Sequence, residues 1–183
     1  AMNAGQTLLE PDDLLRMPDG DRYELIDGVP KEKQMGAESD AIAAGIIGLV
    51  RPFVAASKLG LVFGSQTGYQ CFPTRPKLVR MPDVSFVTKG RLPGDKAPKG
   101  YVTLAPDLAV EVLSPGEFAE ELWGKLADYK SAAIRLVWVV SPATRIVQVR
   151  RADSSMSELD ETGTLSGEDV LPGFTCLVAD LFV

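Results

Sequence analysis

The run Leu108-Ala109-Val110-Glu111-Val112-Leu113 constrains this chain more than any other segment. A continuous apolar stretch of this length suits a strand buried on both faces. A helical pattern over residues 117–131 and a second apolar run over 136–140 follow it. Strand, helix, strand at that spacing fits a βαβ crossover joining two parallel strands of one sheet. The turn Ser141-Pro142-Ala143-Thr144 then leads to a further strand over 146–150. The chain reads as mixed α/β, and its 183 residues suit one compact domain spanning 1–183. Ala1, ahead of Met2, reads as an expression remnant.

The remaining elements fit this frame. Residues 8–15 read as a short helix with Thr7 as a candidate N-cap, ended by Pro18-Asp19-Gly20. Two strand-like runs flank Asp27-Gly28, the preferred two-residue hairpin turn. From 39 to 54, Ile42, Ile46, Leu49, Val50 and Phe53 recur at helical spacing and predict one buried stripe. Ala43, Ala44, Gly45 and Gly48 would let that helix approach a sheet closely, and Pro52 should kink or shorten its end. Strands are expected over 61–63, 68–72 and 78–87, the last interrupted at Pro82, followed by a Gly-, Pro- and Lys-rich loop over 88–103. The tail predicts a short hairpin and a packed segment at Leu171-Pro172-Gly173-Phe174.

The chain has no histidine, which removes Ser–His–Asp and Cys–His catalysis and every His-based zinc site. Acid–base work falls to carboxylates, lysines, tyrosines or metal-activated water. Cys71 and Cys176 are isolated in apolar sequence and read as buried free thiols. No signal-peptide pattern is read and no apolar run of about 18–20 residues, so a cytoplasmic location is expected. The net charge of −6 argues against coating of the whole surface by nucleic acid. Arg75, Lys77, Arg80, Lys89, Arg91, Lys96 and Lys99 nevertheless make one stretch locally positive, which suits either a phosphate-bearing substrate or a solvated loop.

Glu111 is the anomaly of the central strand. A buried, uncompensated carboxylate costs several kcal/mol, so a cation or a proton is expected beside it. A structural ion pair or a water-facing edge position are the bland alternatives. Asp83 follows Pro82 and, with period two, shares a face with Ser85. Alone, Pro-Asp is a common turn dipeptide. A second strand-borne acid some thirty residues later gives it a possible partner.

These residues carry a resemblance. Val79-Arg80-Met81-Pro82-Asp83-Val84-Ser85-Phe86-Val87, followed by Leu108-Ala109-Val110-Glu111-Val112-Leu113-Ser114-Pro115, resembles the Uma family of restriction-endonuclease-like proteins, in the PD-(D/E)XK superfamily. Tyr23-Glu24-Leu25-Ile26-Asp27-Gly28, Lys125-Leu126-Ala127-Asp128-Tyr129, Arg135 to Pro142 and Leu171 to Phe174 match in the same order, so the similarity spans nearly the whole chain. The resemblance implies a restriction-endonuclease-like fold, a central mixed β-sheet flanked by helices with an acidic metal site at the sheet's end. It implies that Asp83 and Glu111 hold Mg²⁺ (or Mn²⁺), with the Val112 carbonyl and Glu24 as further ligands. Such an ion activates water and offsets charge developing on the attacked phosphate. The activity implied is endonucleolytic hydrolysis of DNA, by analogy in a homodimer.

The sequence departs from the pattern in places. The superfamily lysine belongs two residues after the second acid, where this chain has Leu113. The resemblance moves that role to Lys125 on the following helix, where Glu117, Glu121, Lys125 and Tyr129 share one face. The alternatives are a Glu121–Lys125 surface pair and a half-buried helix tyrosine. Glu38-Ser39-Asp40 replaces the histidine usual near the start of the long helix, and Phe118 stands where a basic residue is common. A catalytically degenerate module that binds nucleic acid or protein is the second reading. A glycosidase-like acid pair is a third, disfavoured because Trp123 and Trp138 suit core packing better than a sugar platform.

Overall fold

A computed structural model describes residues 7–33, 36–116 and 119–182. Its centre is the predicted crossover. Strand β5 (Leu108–Val112) runs parallel to β6 (Leu136–Ser141), and helix α3 (Ala119–Ser131) joins them. Numbering the strands in chain order, β3 (Gly60–Gly64) and β4 (Val84–Thr88) extend one side antiparallel, and β7 (Ile146–Arg151) and β8 (Met156–Leu159) extend the other. The result is a six-stranded mixed sheet in the order β3-β4-β5-β6-β7-β8.

Strand alternation divides the interior between the sheet's two faces. Leu108, Val110 and Val112 of β5, with Trp138 and Val140 of β6, pack against helix α2 (Ala37–Ala56) and the tail residues Leu171, Phe174 and Val178. Ala109 of β5, with Val137 and Val139 of β6, packs beneath α3 on Leu126 and Tyr129. Glu111 has the parity of Ala109 and therefore lies on the α3 side.

Helix α2 runs through Pro52 to Ala56, so the helix is not shortened there. Its first three turns supply enough intrahelical bonds and buried contacts to absorb one missing N–H near the end. The buried stripe is Ile42, Ala43, Ile46, Val50 and Val54, whereas Leu49 is exposed. Gly45 and Gly48 face open space and permit no close approach to the sheet. By length and composition α2 is apolar enough to cross a membrane, contrary to the expectation from the sequence, although one stripe of it is core.

The hairpin forms as predicted. Strand β1 (Tyr23–Ile26) pairs antiparallel with β2 (Val29–Glu32), with Asp27 and Gly28 both at positive φ. Other boundaries are corrected. The first helix, α1, is Pro11–Arg16 and is capped by Glu10 rather than Thr7, because Pro11 fixes the first helical turn. Residues 68–72 form no strand, and only Tyr69 bridges, to Arg80 and Val102. The 78–87 run divides at Pro82, which lacks the N–H a ladder needs, and β4 begins after it. Strand β8, Met-Ser-Glu-Leu, is short and only part-buried at the sheet edge, so no apolar run announced it. The tail hairpin is β9 (Thr164–Ser166) with β10 (Thr175–Leu177). Trp138 is core, but Trp123 is 55% exposed and corrects the expectation for that residue. Cys71 and Cys176 are free but only part-buried.

Candidate active site

The β4–β5 register aligns Val84 with Val110, so one more step sets Asp83 opposite Glu111 at the end of the sheet. Pro82 has ended the ladder there, and the Asp83 side chain continues it. Its Oδ2 accepts the Val112 amide at 2.8 Å. The five residues anticipated at the site, Glu24, Asp83, Glu111, Val112 and Lys125, all line one open cavity of about 600 Å³.

Glu111 is buried, and α3 supplies its partners. Lys125 Nζ donates to Oε2 at 2.9 Å and the Tyr129 hydroxyl donates to Oε1. The i,i+4 spacing of Lys125 and Tyr129 puts both over the same carboxylate. Burial pushes the Glu111 carboxyl up to about 7; Lys125 opposes the rise, and the Asp83 charge adds to it. Burial, with the neighbouring Glu111 charge, raises the Tyr129 phenol, so it remains a donor. The surface pair Glu121–Lys125 does not form, and Glu121 pairs with Lys31 of the hairpin. Glu117 and Phe118 lie outside the described residues.

Glu24 faces inward rather than to solvent. Its Oε2 accepts Arg80 Nη1 at 2.8 Å and its Oε1 the Met81 amide at 2.8 Å. Burial raises its carboxyl, but Lys125, Arg80 and the Met81 amide together hold it below the ordinary value. Arg80 also contacts Asp128 at 2.6 Å, and Asp128 and Asp27 both pair with Arg75. This network fixes the hairpin to α3 beneath the cavity. Four of the seven residues in the basic stretch are therefore structural: Arg75, Arg80, Lys77 with Glu10, and Arg91 with Asp107.

Sequence reasoning missed Lys33. Its Nζ lies 2.7 Å from the Met81 carbonyl oxygen and 3.1 Å from Asp83 Oδ1. A lysine closing a polar hairpin beside Glu32 looks like a surface residue, and no local signal distinguishes it. Leu113, at the superfamily's lysine position, packs with the cluster beneath α3.

The donor set suits a hard divalent cation. The cavity offers carboxylates, a strand backbone and the Ser114 hydroxyl, with neither histidine nor cysteine. Among the described residues no three acidic or cysteine side chains stand together as a ready cage. Asp83 and Glu111 are instead neutralised by lysines, which a metal ion would have to share or displace.

The model of a family described as "Uma2: Putative restriction endonuclease" matches residues 11–179. The chain belongs to the Uma2 family. Among solved structures, it is similar to a crystal structure titled as a putative nuclease of DUF820 from Anabaena variabilis ATCC 29413. The TM-score is 0.78 at 19% identity, covering 95% of this chain and 97% of that one. No curated protein matches it. The fold and family read from the Asp83 and Glu111 segments therefore hold, and the family's divalent-metal chemistry suits the oxygen donors of the cavity.

Proposed function

We propose that the chain is a Mg²⁺- or Mn²⁺-dependent endonuclease hydrolysing phosphodiester bonds of DNA, with Asp83, Glu111 and Lys125 as its catalytic residues. The observation that carries this reading is the convergence of these three side chains on one open cavity wall in a family of nuclease-like proteins. Asp83 and Glu111, aided by the Val112 carbonyl and Glu24, would hold the metal. When bound, the metal supplies Lewis-acid stabilisation of the charge that develops on the attacked phosphate.

The chain's own residues do the rest. Tyr129 and Lys125 orient Glu111 from α3, so the carboxylate meets the cavity in one rotamer. The Lys125 ammonium, which lines the cavity beside Glu111, would also face a non-bridging phosphate oxygen bound there. Lys33 holds Asp83 and keeps that carboxylate compensated. The wall residues Glu120, Glu121 and Glu32 are acidic, so a phosphate enters only where cations offset them.

The test is cleavage of single- and double-stranded DNA with Mg²⁺ or Mn²⁺, wild type beside Asp83→Ala and Lys125→Met. Activity abolished by chelator and by both substitutions is the expected result. Wild-type turnover in Asp83→Ala would remove the site. The second reading, a degenerate binding module, is favoured by one observation: Leu113 occupies the motif's lysine position. It predicts no cleavage by the wild type and no metal binding by titration. A homodimer, pairing two sites across a duplex, and a cytoplasmic location belong to the nuclease reading; sedimentation tests the former.

A further inference from the structure

The flank of α3 opposite Lys125 carries a second pocket. Trp123 lies two positions before Lys125, about 200° away around the helix, so the two side chains leave α3 on opposite sides. The pocket, about 250 Å³, is floored by Leu126, Ile134 and Val137, and its ionisable lining residues are Lys130, Arg150 and Arg151. Of the five principal cavities among the described residues, the other four each include a carboxylate, whereas the charged lining of this one is wholly cationic. In a chain of net charge −6 that concentration is unusual.

Three features point to a ligand. Trp123 is 55% exposed, although a tryptophan without a binding role is ordinarily more covered. The Arg150 guanidinium lies over its ring at 5.3 Å, within cation–π range. Arg150 Nη1 is buried with no hydrogen-bond partner, a costly state for a charged donor. Arg151 is already engaged by Glu168, and Lys130 has no acidic partner among the described residues. Register sets the exposed Met156 opposite Arg150 on the same face of the sheet, extending the apolar rim.

We propose that this pocket binds one nucleotide unit, its base stacked on Trp123 and its phosphate held by Arg150 and Lys130. An aromatic face beside cations is the chemistry that holds single-stranded nucleic acid without sequence preference. A phosphate in the pocket would meet the part-exposed Arg150 guanidinium beside the Lys130 ammonium, a charge-assisted contact. The pocket is too small for a duplex and lies about one helix diameter, roughly 10 Å, from the cavity at Glu111. It would hold a strand flanking the scissile bond. That last role rests on the nuclease reading, whereas the pocket's affinity for a nucleotide does not.

Trp123 reports directly, because Trp138 is fully buried and emits to the blue. In chelator, where no cleavage occurs, the protein is titrated with dTMP, a single-stranded thymidine oligonucleotide and inorganic phosphate. Quenching of the red, exposed-tryptophan emission by dTMP and more strongly by the oligonucleotide is expected, with phosphate alone leaving it nearly unchanged. Quenching by dTMP but not by the oligonucleotide would make the ligand a free nucleotide and overturn the strand role. By anisotropy of a labelled oligonucleotide, Arg150→Gln and Trp123→Ala should each weaken binding by roughly fivefold to a hundredfold, the range of one lost stacking contact. Trp123→Phe, which keeps an aromatic face, should retain most of the affinity and guards against misfolding. Unchanged affinity in Arg150→Gln, or emission that shifts with protein concentration alone, overturns the proposal. The latter result would mark the patch as a contact between copies. Quenching without any Mg²⁺-dependent cleavage would sink the nuclease reading and leave this site standing.

Discussion

Arg80→Met tests how the candidate site is held. The Arg80 side chain is 8% exposed and contacts Glu24 at 2.8 Å and Asp128 at 2.6 Å. Its removal is asymmetric in consequence. Asp128 keeps Arg75, but Glu24, 4% exposed, keeps only the Met81 amide and the more distant lysine charges. Breaking a buried pair from one side costs about 3–5 kcal/mol, because the remaining charge is stranded. At about 2–4 °C per kcal/mol for a chain of this size, the melting temperature should fall by roughly 6–20 °C.

The pH dependence follows with sign. In the wild type the Glu24 carboxyl is held below its ordinary value, so this group's stabilisation is present above the unfolded value and lost as pH falls. Without Arg80, burial dominates and raises that carboxyl, so protonation relieves the variant and its deficit shrinks from pH 8 to pH 5. Denaturant unfolding, followed by circular dichroism at both pH values, measures this. Adding Glu24→Gln to Arg80→Met should recover a large part of the loss. A loss below about 1 kcal/mol, or a double variant no more stable than the single one, would refute the argument that the Glu24 charge drives the effect.

Glu111→Gln should behave oppositely. Because burial raises Glu111 from 4.5 to about 7, its stabilisation is complete below the lower value and lost as pH rises through the upper one. The variant should thus gain up to about 3 kcal/mol relative to wild type between pH 4 and pH 8, and a flat difference would contradict the assignment. Lys33→Met removes an ammonium 3.1 Å from Asp83 Oδ1, so calorimetry should show Mn²⁺ binding tightened by several-fold. Weaker binding would instead make Lys33 a positioning residue for Asp83. Burial pushes the Cys71 thiol up to about 12 and the Cys176 thiol up to about 11, so both should label slowly with a disulfide reagent at pH 8. Rapid labelling of the native protein would contradict those environments.

The sequence by itself determined the sheet's centre and the hairpin. An apolar strand, a helix and a second apolar strand permit few arrangements, and Asp27-Gly28 allows essentially one turn. It also singled out Glu111, since a carboxylate in a strand of that composition demands a partner. That partner was partly legible, because Lys125 and Tyr129 share a helix face. Local pattern was less informative where short segments or isolated residues carried the structure, as in the edge strand β8 and the Tyr69 bridges.

Only the tertiary structure decided how the acids are compensated. Lys33 meets Asp83 across fifty residues of sequence, and Arg80, in the segment before β4, joins Glu24 of β1 to Asp128 of α3. Such ion pairs depend on where a folded backbone brings charges, and a charge has no periodicity to betray its partner. Trp123 makes the same point from the other side. In sequence it is one more large apolar residue, and only the crossover that buries Leu126 and Tyr129 turns it outward. Periodic burial is written along the chain, whereas pairing between distant charges and the outward face of a helix are settled when the elements dock.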